Sequence, residues 1–276
     1  MRVAFVLSGG AGLGAAQTGM LQALYEDGIR PDLVVGTSVG AINAAFIASQ
    51  PATVSAARQL QQVWRGLDRS QIFPARALTA GLGMLGLRDH LVPCGSLRRL
   101  VARHVELDRL EDAPVELHVV AADLLTGEEV LLSEGPAVDA VLASAAIPGV
   151  FPAVAWGSRL LVDGGIVNNT PISHAVELGA DQIYVFMGGT VPLARAPRGA
   201  LASAVAAVSH AIGRRFADDV ARYADSVDLR VIPAPSVEGL LPTDFGRADE
   251  LIANGLGLAR RSLAPRCQVV PLRAAA

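Results

Sequence analysis

The sequence predicts an α/β fold built on parallel strands, and three observations carry that expectation. First, short apolar runs at residues 2–7 and 33–35 are bounded by glycine or turn residues, as buried parallel strands are. Second, helix-forming stretches follow each run, and strand–helix–strand–helix in that order implies a right-handed β-α-β unit. Third, of the 276 residues 51% are hydrophobic but only 4% are aromatic. Ala, Leu, Val and Gly must therefore build a core of the size such a length can bury.

The remaining elements follow in order. Residues 15–26 place Met20, Leu21, Ala23 and Leu24 at helical spacing, and Gly28 ends that helix. Residues 41–49 are rich in helix formers, and 56–67 read as a helix with Trp64 on its apolar side. Ser96 caps a helix reaching about residue 104. Residues 115–121 and 129–132 read as paired strands turning at Thr126-Gly127. A short helix at 137–145 stops before Pro148-Gly149, and a strand at 160–162 leads into Asp163-Gly164-Gly165. Pro171 opens a helix, 182–187 is a strand, 201–224 a long helix, 227–232 a strand and 244–263 a last helix. No internal repeat or long linker divides the chain, so residues 1–276 read as one domain. The stretch 77–87 is uncharged and glycine-rich. Its plain reading is a core or turn segment, and its functional reading a flap that receives acyl chains or touches a membrane surface.

Charge and cysteine content narrow the function classes. All 23 basic residues are Arg, against 26 acids, for a net charge of −3. That balance argues against nucleic-acid binding, whose footprint is basic. The pairs Arg98-Arg99, Arg214-Arg215 and Arg260-Arg261 are scattered and read as solvated helix faces. Cys94 and Cys267 have neither metal nor redox spacing, which fits a reducing cytoplasm. The apolar run after Met1-Arg2 is shorter than a signal-peptide core, and no window reaches the roughly 18 apolar residues of a membrane span. A cytoplasmic location is the expectation.

Three constellations could carry chemistry. Gly36-Thr37-Ser38-Val39-Gly40 is a G-x-S-x-G between a strand and a helix, the setting of a nucleophile elbow. A plain glycine turn with Ser38 as an N-cap is the competing reading. Gly9-Gly10-Ala11-Gly12-Leu13-Gly14 follows the first strand, and its backbone amides can converge on an anion. It reads as an oxyanion hole, a dinucleotide phosphate turn or a structural turn. Gly10-x-Gly12-x-x-Ala15 fits the dinucleotide pattern, but Gly36 stands where that site needs an acid, and Asp32 lies before the strand. Asp163 ends a strand ahead of two glycines, where α/β folds place their sites, although Asp-Gly-Gly is also an ordinary turn.

A serine nucleophile needs a base. None of His90, His104, His118, His174 and His210 lies in a motif that sets it beside Ser38. A two-residue site remains, in which Asp163 takes the Ser38 proton directly. Ser144 lacks an elbow and reads as a helix-end residue.

The glycine loop, the G-x-S-x-G and the distant Asp-Gly-Gly together resemble the patatin-like phospholipases. Residues 143–152 (ASAAIPGVFP) and Val167-Asn168-Asn169-Thr170-Pro171 are similar to that family's blocks on either side of the Asp. The resemblance covers roughly residues 3–190. It implies a three-layer α/β/α sandwich with a mainly parallel central sheet, and a lipid or other ester as substrate. It further implies Ser38 as nucleophile, Asp163 as base, and an oxyanion loop of Gly9, Gly10, Ala11 and Gly12. No cofactor or metal is implied for the chemistry. The chain departs from the family at Ala11, usually Gly, and at Leu13, usually Arg or Lys. Both departures bear on anion stabilisation and head-group preference. They motivate a second reading, a weakly catalytic lipid-binding or regulatory protein on the same scaffold.

Overall fold

The computed structural model describes residues 1–73, 89–188, 199–236 and 244–264. The stretch 77–87 lies outside them. The described residues build eight strands: β1 (Val3–Leu7), β2 (Leu33–Thr37), β3 (Glu116–Asp123), β4 (Glu129–Leu132), β5 (Val154–Trp156), β6 (Arg159–Asp163), β7 (Gln182–Phe186) and β8 (Asp228–Ile232). They join in one sheet of order β5-β6-β3-β2-β1-β7-β8, with β4 paired to β3 off that path. From β3 to β8 every pairing along the path is parallel, while the β3–β4, β3–β6 and β5–β6 pairings are antiparallel.

Alternation along β1 sorts the two faces of the sheet. Phe5 and Leu7 enter one core together with Val34, Val119 and Phe186. Ala4 and Val6 enter the other with Leu33, Val35, Val120 and Ile183. The first face is covered by α1 (Ala15–Glu26), α2 (Val39–Ser49), α3 (Val54–Arg65), α6 (Ala137–Ser144) and α10 (Ala248–Leu263). Two further short helices, α4 (Arg69–Ile72) and α5 (Gly95–His104), extend that side. The second face is covered by α8 (Ile172–Glu177) and α9 (Ala200–Tyr223), after a single turn α7 (Gly165–Asn168). This is the three-layer α/β/α arrangement expected, with a mainly parallel centre.

The sequence pattern misses β5 because its three residues, all apolar, are too few to show an alternation, although Val154 and Trp156 lean on the core and Ala155 is exposed. The predicted pair of strands at 115–121 and 129–132 forms as a hairpin, with Val120 opposite Leu131. Among the described residues no helix is long and apolar enough to cross a membrane.

Candidate active site

The carboxyl ends of β1 and β2 lie side by side, Leu7 opposite Gly36, and the candidate residues gather at that edge. Beyond Thr37 the chain turns sharply into α2. Ser38 takes φ 57° and ψ −126°, a conformation that costs an L-residue energy, on the tight strand-to-helix turn that a nucleophile elbow needs. The flanking glycines are demanded by crowding. A Cβ on Gly40 would stand 2.2 Å from the Leu7 carbonyl oxygen, and one on Gly36 would stand 2.5 Å from that of Gly40. The plain N-cap reading fails on the same geometry, because the Ser38 hydroxyl makes no cap bond to α2.

That hydroxyl instead donates to Asp163 Oδ2 at 2.6 Å. Asp163 reaches it because β6 pairs antiparallel with β3, setting Asp163 opposite Ala121 at the end of the strand next to β2. The other carboxylate oxygen, Oδ1, accepts the Gly165 amide at 2.8 Å. No cation pairs with the carboxylate among the described residues. Asp163 is 5% exposed. Burial pushes its pKa up to about 6, against the smaller lowering from the Ser38 and Gly165 hydrogen bonds. The carboxylate is thus ionised at neutral pH yet basic enough to take a proton.

Among the described residues no histidine hydrogen-bonds Ser38 or Asp163. His118 bonds Ser133 and Glu116, and His90 bonds Asp89. His174 pairs with Glu129 at 2.6 Å and with Glu177 at 3.4 Å; burial lowers its pKa, and the two carboxylates together raise it overall. Glu129 also accepts the Asn168 side-chain amide at 2.6 Å, and the Asn168 carbonyl accepts the Thr37 hydroxyl at 2.9 Å. His174 therefore supports the elbow from a distance and does not contact Ser38.

The glycine loop stands over the serine, and a Cβ on Gly9 would fall 3.2 Å from that of Ser38. The Gly9 amide is already engaged, donating to the Asn169 carbonyl at 3.0 Å. The amides of Gly10, Ala11 and Gly12 have no partner among the described residues. Ala11 holds φ 48°, a left-handed conformation that glycine adopts without the Cβ penalty. Leu13 is buried in the core, so the loop carries no cation. Two buried amides pin the loop at both ends. Gln17 Nε2 donates to the Ser8 carbonyl at 2.8 Å, and Asn43 Nδ2 donates to the Gly14 carbonyl at 3.1 Å and to Gln17 Oε1 at 2.8 Å.

Beside Ser38 and Ala11 opens an apolar cavity of about 70 Å³, walled by Ile42, Phe46, Trp64, Val101, Phe151 and Phe245 among others. Its one ionisable lining group among the described residues is His104. Burial and the neighbouring Arg103 lower the pKa of His104, favouring its neutral form. Sequence reasoning missed this cavity, since apolar residues on α2, α3 and α5 read equally well as core. It also missed the contact of Ser144 with the elbow, where the Ser144 hydroxyl accepts the Ser38 amide at 2.8 Å.

A serine on a strained strand-to-helix turn is thus bonded to a buried strand-end aspartate, beside a glycine loop on a mainly parallel sheet. The chain belongs to the patatin-like phospholipase family, whose model matches residues 5–176. It is 37% identical over 169 residues to an uncharacterized NTE family protein of Mycobacterium tuberculosis, covering 60% of this chain and 27% of that protein. It is 28% identical over 197 residues to lysophospholipase nte1 of Aspergillus terreus, covering 68% of this chain and 12% of that one. The chain thus spans a minor part of the length of these relatives. In fold it is similar to VipD of Legionella pneumophila, with a TM-score of 0.51 at 16% identity, over 95% of this chain and 66% of that one.

Proposed function

We propose that the protein is a lipid acyl hydrolase that cleaves carboxylic esters through an acyl-enzyme on Ser38, with Asp163 as the base. The observation that carries this reading is the 2.6 Å bond from the strained Ser38 hydroxyl to a carboxylate whose pKa is raised to about 6, beside an apolar cavity. In the first half-reaction Ser38 Oγ attacks the ester carbonyl carbon as its proton passes to Asp163 Oδ2. The amides of Gly10, Ala11 and Gly12 receive the oxyanion. The tetrahedral intermediate collapses, and Asp163 returns the proton to the departing alkoxide. In the second half-reaction water takes the alcohol's place, Asp163 accepts its proton, and the acid leaves as Ser38 is regenerated.

The cavity suits the apolar part of an acyl chain next to the ester, because its walls are apolar. With Leu13 where the family usually has a cation, the loop offers a phosphate head group no positive partner. Recognition on this reading rests on the acyl end. The test is hydrolysis of p-nitrophenyl esters from acetate to palmitate, beside a lysophospholipid and a diacyl phospholipid, by wild type and Ser38→Ala. The expected kcat/KM rises with chain length by about tenfold per few methylenes, at roughly 0.8 kcal/mol for each methylene buried. Ser38→Ala is expected to abolish it. A folded wild type that hydrolyses none of these esters would instead support the lipid-binding reading.

A further inference from the structure

Ser144 is the last residue of α6 and is fully buried. A serine at a helix end ordinarily returns its hydroxyl to a carbonyl of its own last turn. Here the hydroxyl leaves the helix and is used twice. It accepts the Ser38 amide at 2.8 Å and donates to the Val120 carbonyl on β3 at 2.5 Å. Two residues further on, the Ala146 carbonyl accepts the Asp163 amide at 2.9 Å. One three-residue strap therefore grips the backbones of Ser38 and Asp163, which lie 125 positions apart in the chain. The same strap forms part of the cavity wall through Ala145, and Ile147 follows on it.

Ser38 needs such a grip. Its φ of 57° and ψ of −126° persist only where the surroundings impose them. Three anchors are present: the hydroxyl on Asp163, the carbonyl accepting the Ala41 amide at 2.9 Å, and the amide on Ser144. The Ser144 anchor alone joins the nucleophile's backbone to the strap that also holds Asp163.

We propose that Ser144 is a positioning residue for the nucleophile, fixing the Ser38 backbone so that its hydroxyl meets Asp163 at bonding distance. The proposal rests on the reading of Ser38 and Asp163 as the reacting pair. It follows that the Ser38 amide is committed to Ser144 and is not free to receive the oxyanion.

The test is Ser144→Ala, compared with wild type for kcat and KM on a long-chain p-nitrophenyl ester, for the rate of fluorophosphonate labelling of Ser38, and for the pH profile. The variant loses the anchor, leaves the Ser38 amide unpaired and lets the hydroxyl drift from Asp163. It is expected to keep KM within about threefold while kcat and the labelling rate fall about 30- to 100-fold, the scale of a small misplacement of reacting groups. The acid limb of kcat/KM is expected to move to higher pH, because the hydroxyl bond that favours the Asp163 carboxylate is weakened. Labelling and turnover within threefold of wild type would overturn the proposal, as would a loss confined to KM. Should Ser144→Ala fail to fold, Ser144→Cys, which replaces the hydroxyl with a weak donor and acceptor, is read the same way. If wild type itself is neither active nor labelled at Ser38, the dyad reading fails, and the proposal with it.

Discussion

Asp163→Asn is expected to lower kcat by roughly four orders of magnitude while making the protein more stable. The two effects have one cause. Asp163 is buried with no cation beside it among the described residues, and burial raises its pKa to about 6 in the folded chain, against an ordinary value of 3.8. A carboxyl whose pKa is raised by folding favours the native state while it is protonated. That contribution is complete below about pH 4, is lost as pH climbs from there to about 6, and stays lost above. Asn is neutral at every pH, so the variant avoids the loss. At pH 8 it should gain as much as about 3 kcal/mol over wild type, from 1.36 kcal/mol per pKa unit. Near pH 4 the two should melt alike. The sign for activity is opposite, since only the ionised carboxylate can take the Ser38 proton. Wild-type kcat/KM should therefore rise with pH through a midpoint near 6, and the residual rate of the variant should lack that limb. Melting curves at both pH values and a pH–rate profile check all of this. A variant within tenfold of wild-type activity would return the search to a histidine.

Gly40→Ala is expected to cost the elbow and much of the stability. The added Cβ would lie 2.2 Å from the Leu7 carbonyl oxygen and 2.7 Å from that of Ser8, both on the backbone where β1 enters the glycine loop. Neither atom is the flexible end of a side chain, so α2 must move away from β1 as a unit. That movement separates Ser38 from the loop as well as from Asp163. A loss of about 3–5 kcal/mol fits overpacking against rigid backbone, and the folded fraction should retain under about 1% of activity. Gly66→Ala is the matched control. At φ −84° its Cβ would come no nearer than 3.5 Å to any neighbour, so stability should change by no more than about 0.5 kcal/mol. Denaturant titration of both variants gives the comparison, and equal stabilities would contradict the crowding at the elbow.

Legibility in the sequence followed how local each signal is. The elbow was readable because strand, serine, glycines and helix are consecutive, and each imposes its own pattern. The order of strands β1 and β2 and their helices was readable for the same reason. Asp163 could be placed at a strand end, but its meeting with Ser38 depends on β6 pairing antiparallel with β3, a register no local pattern shows. The glycine loop was legible as a group of amides. That the Gly9 amide is taken by Asn169 was not, since the two lie 160 positions apart. Ser144 gave no signal beyond a helix end, because its partners Ser38 and Val120 belong to two other strands or their ends. The apolar cavity was hidden for a different reason: a side chain that lines a void and one that fills a core obey the same pattern along a helix.

The most direct test of the Ser38 acyl-enzyme is to mix the protein with a long-chain p-nitrophenyl ester, quench it within the first turnovers and weigh it. The dyad mechanism predicts a burst of one p-nitrophenol per chain and a mass increase of one acyl group, confined to the peptide that contains Ser38 and absent from Ser38→Ala. Turnover that persists in Ser38→Ala, or an acyl group carried on any other peptide, would contradict it.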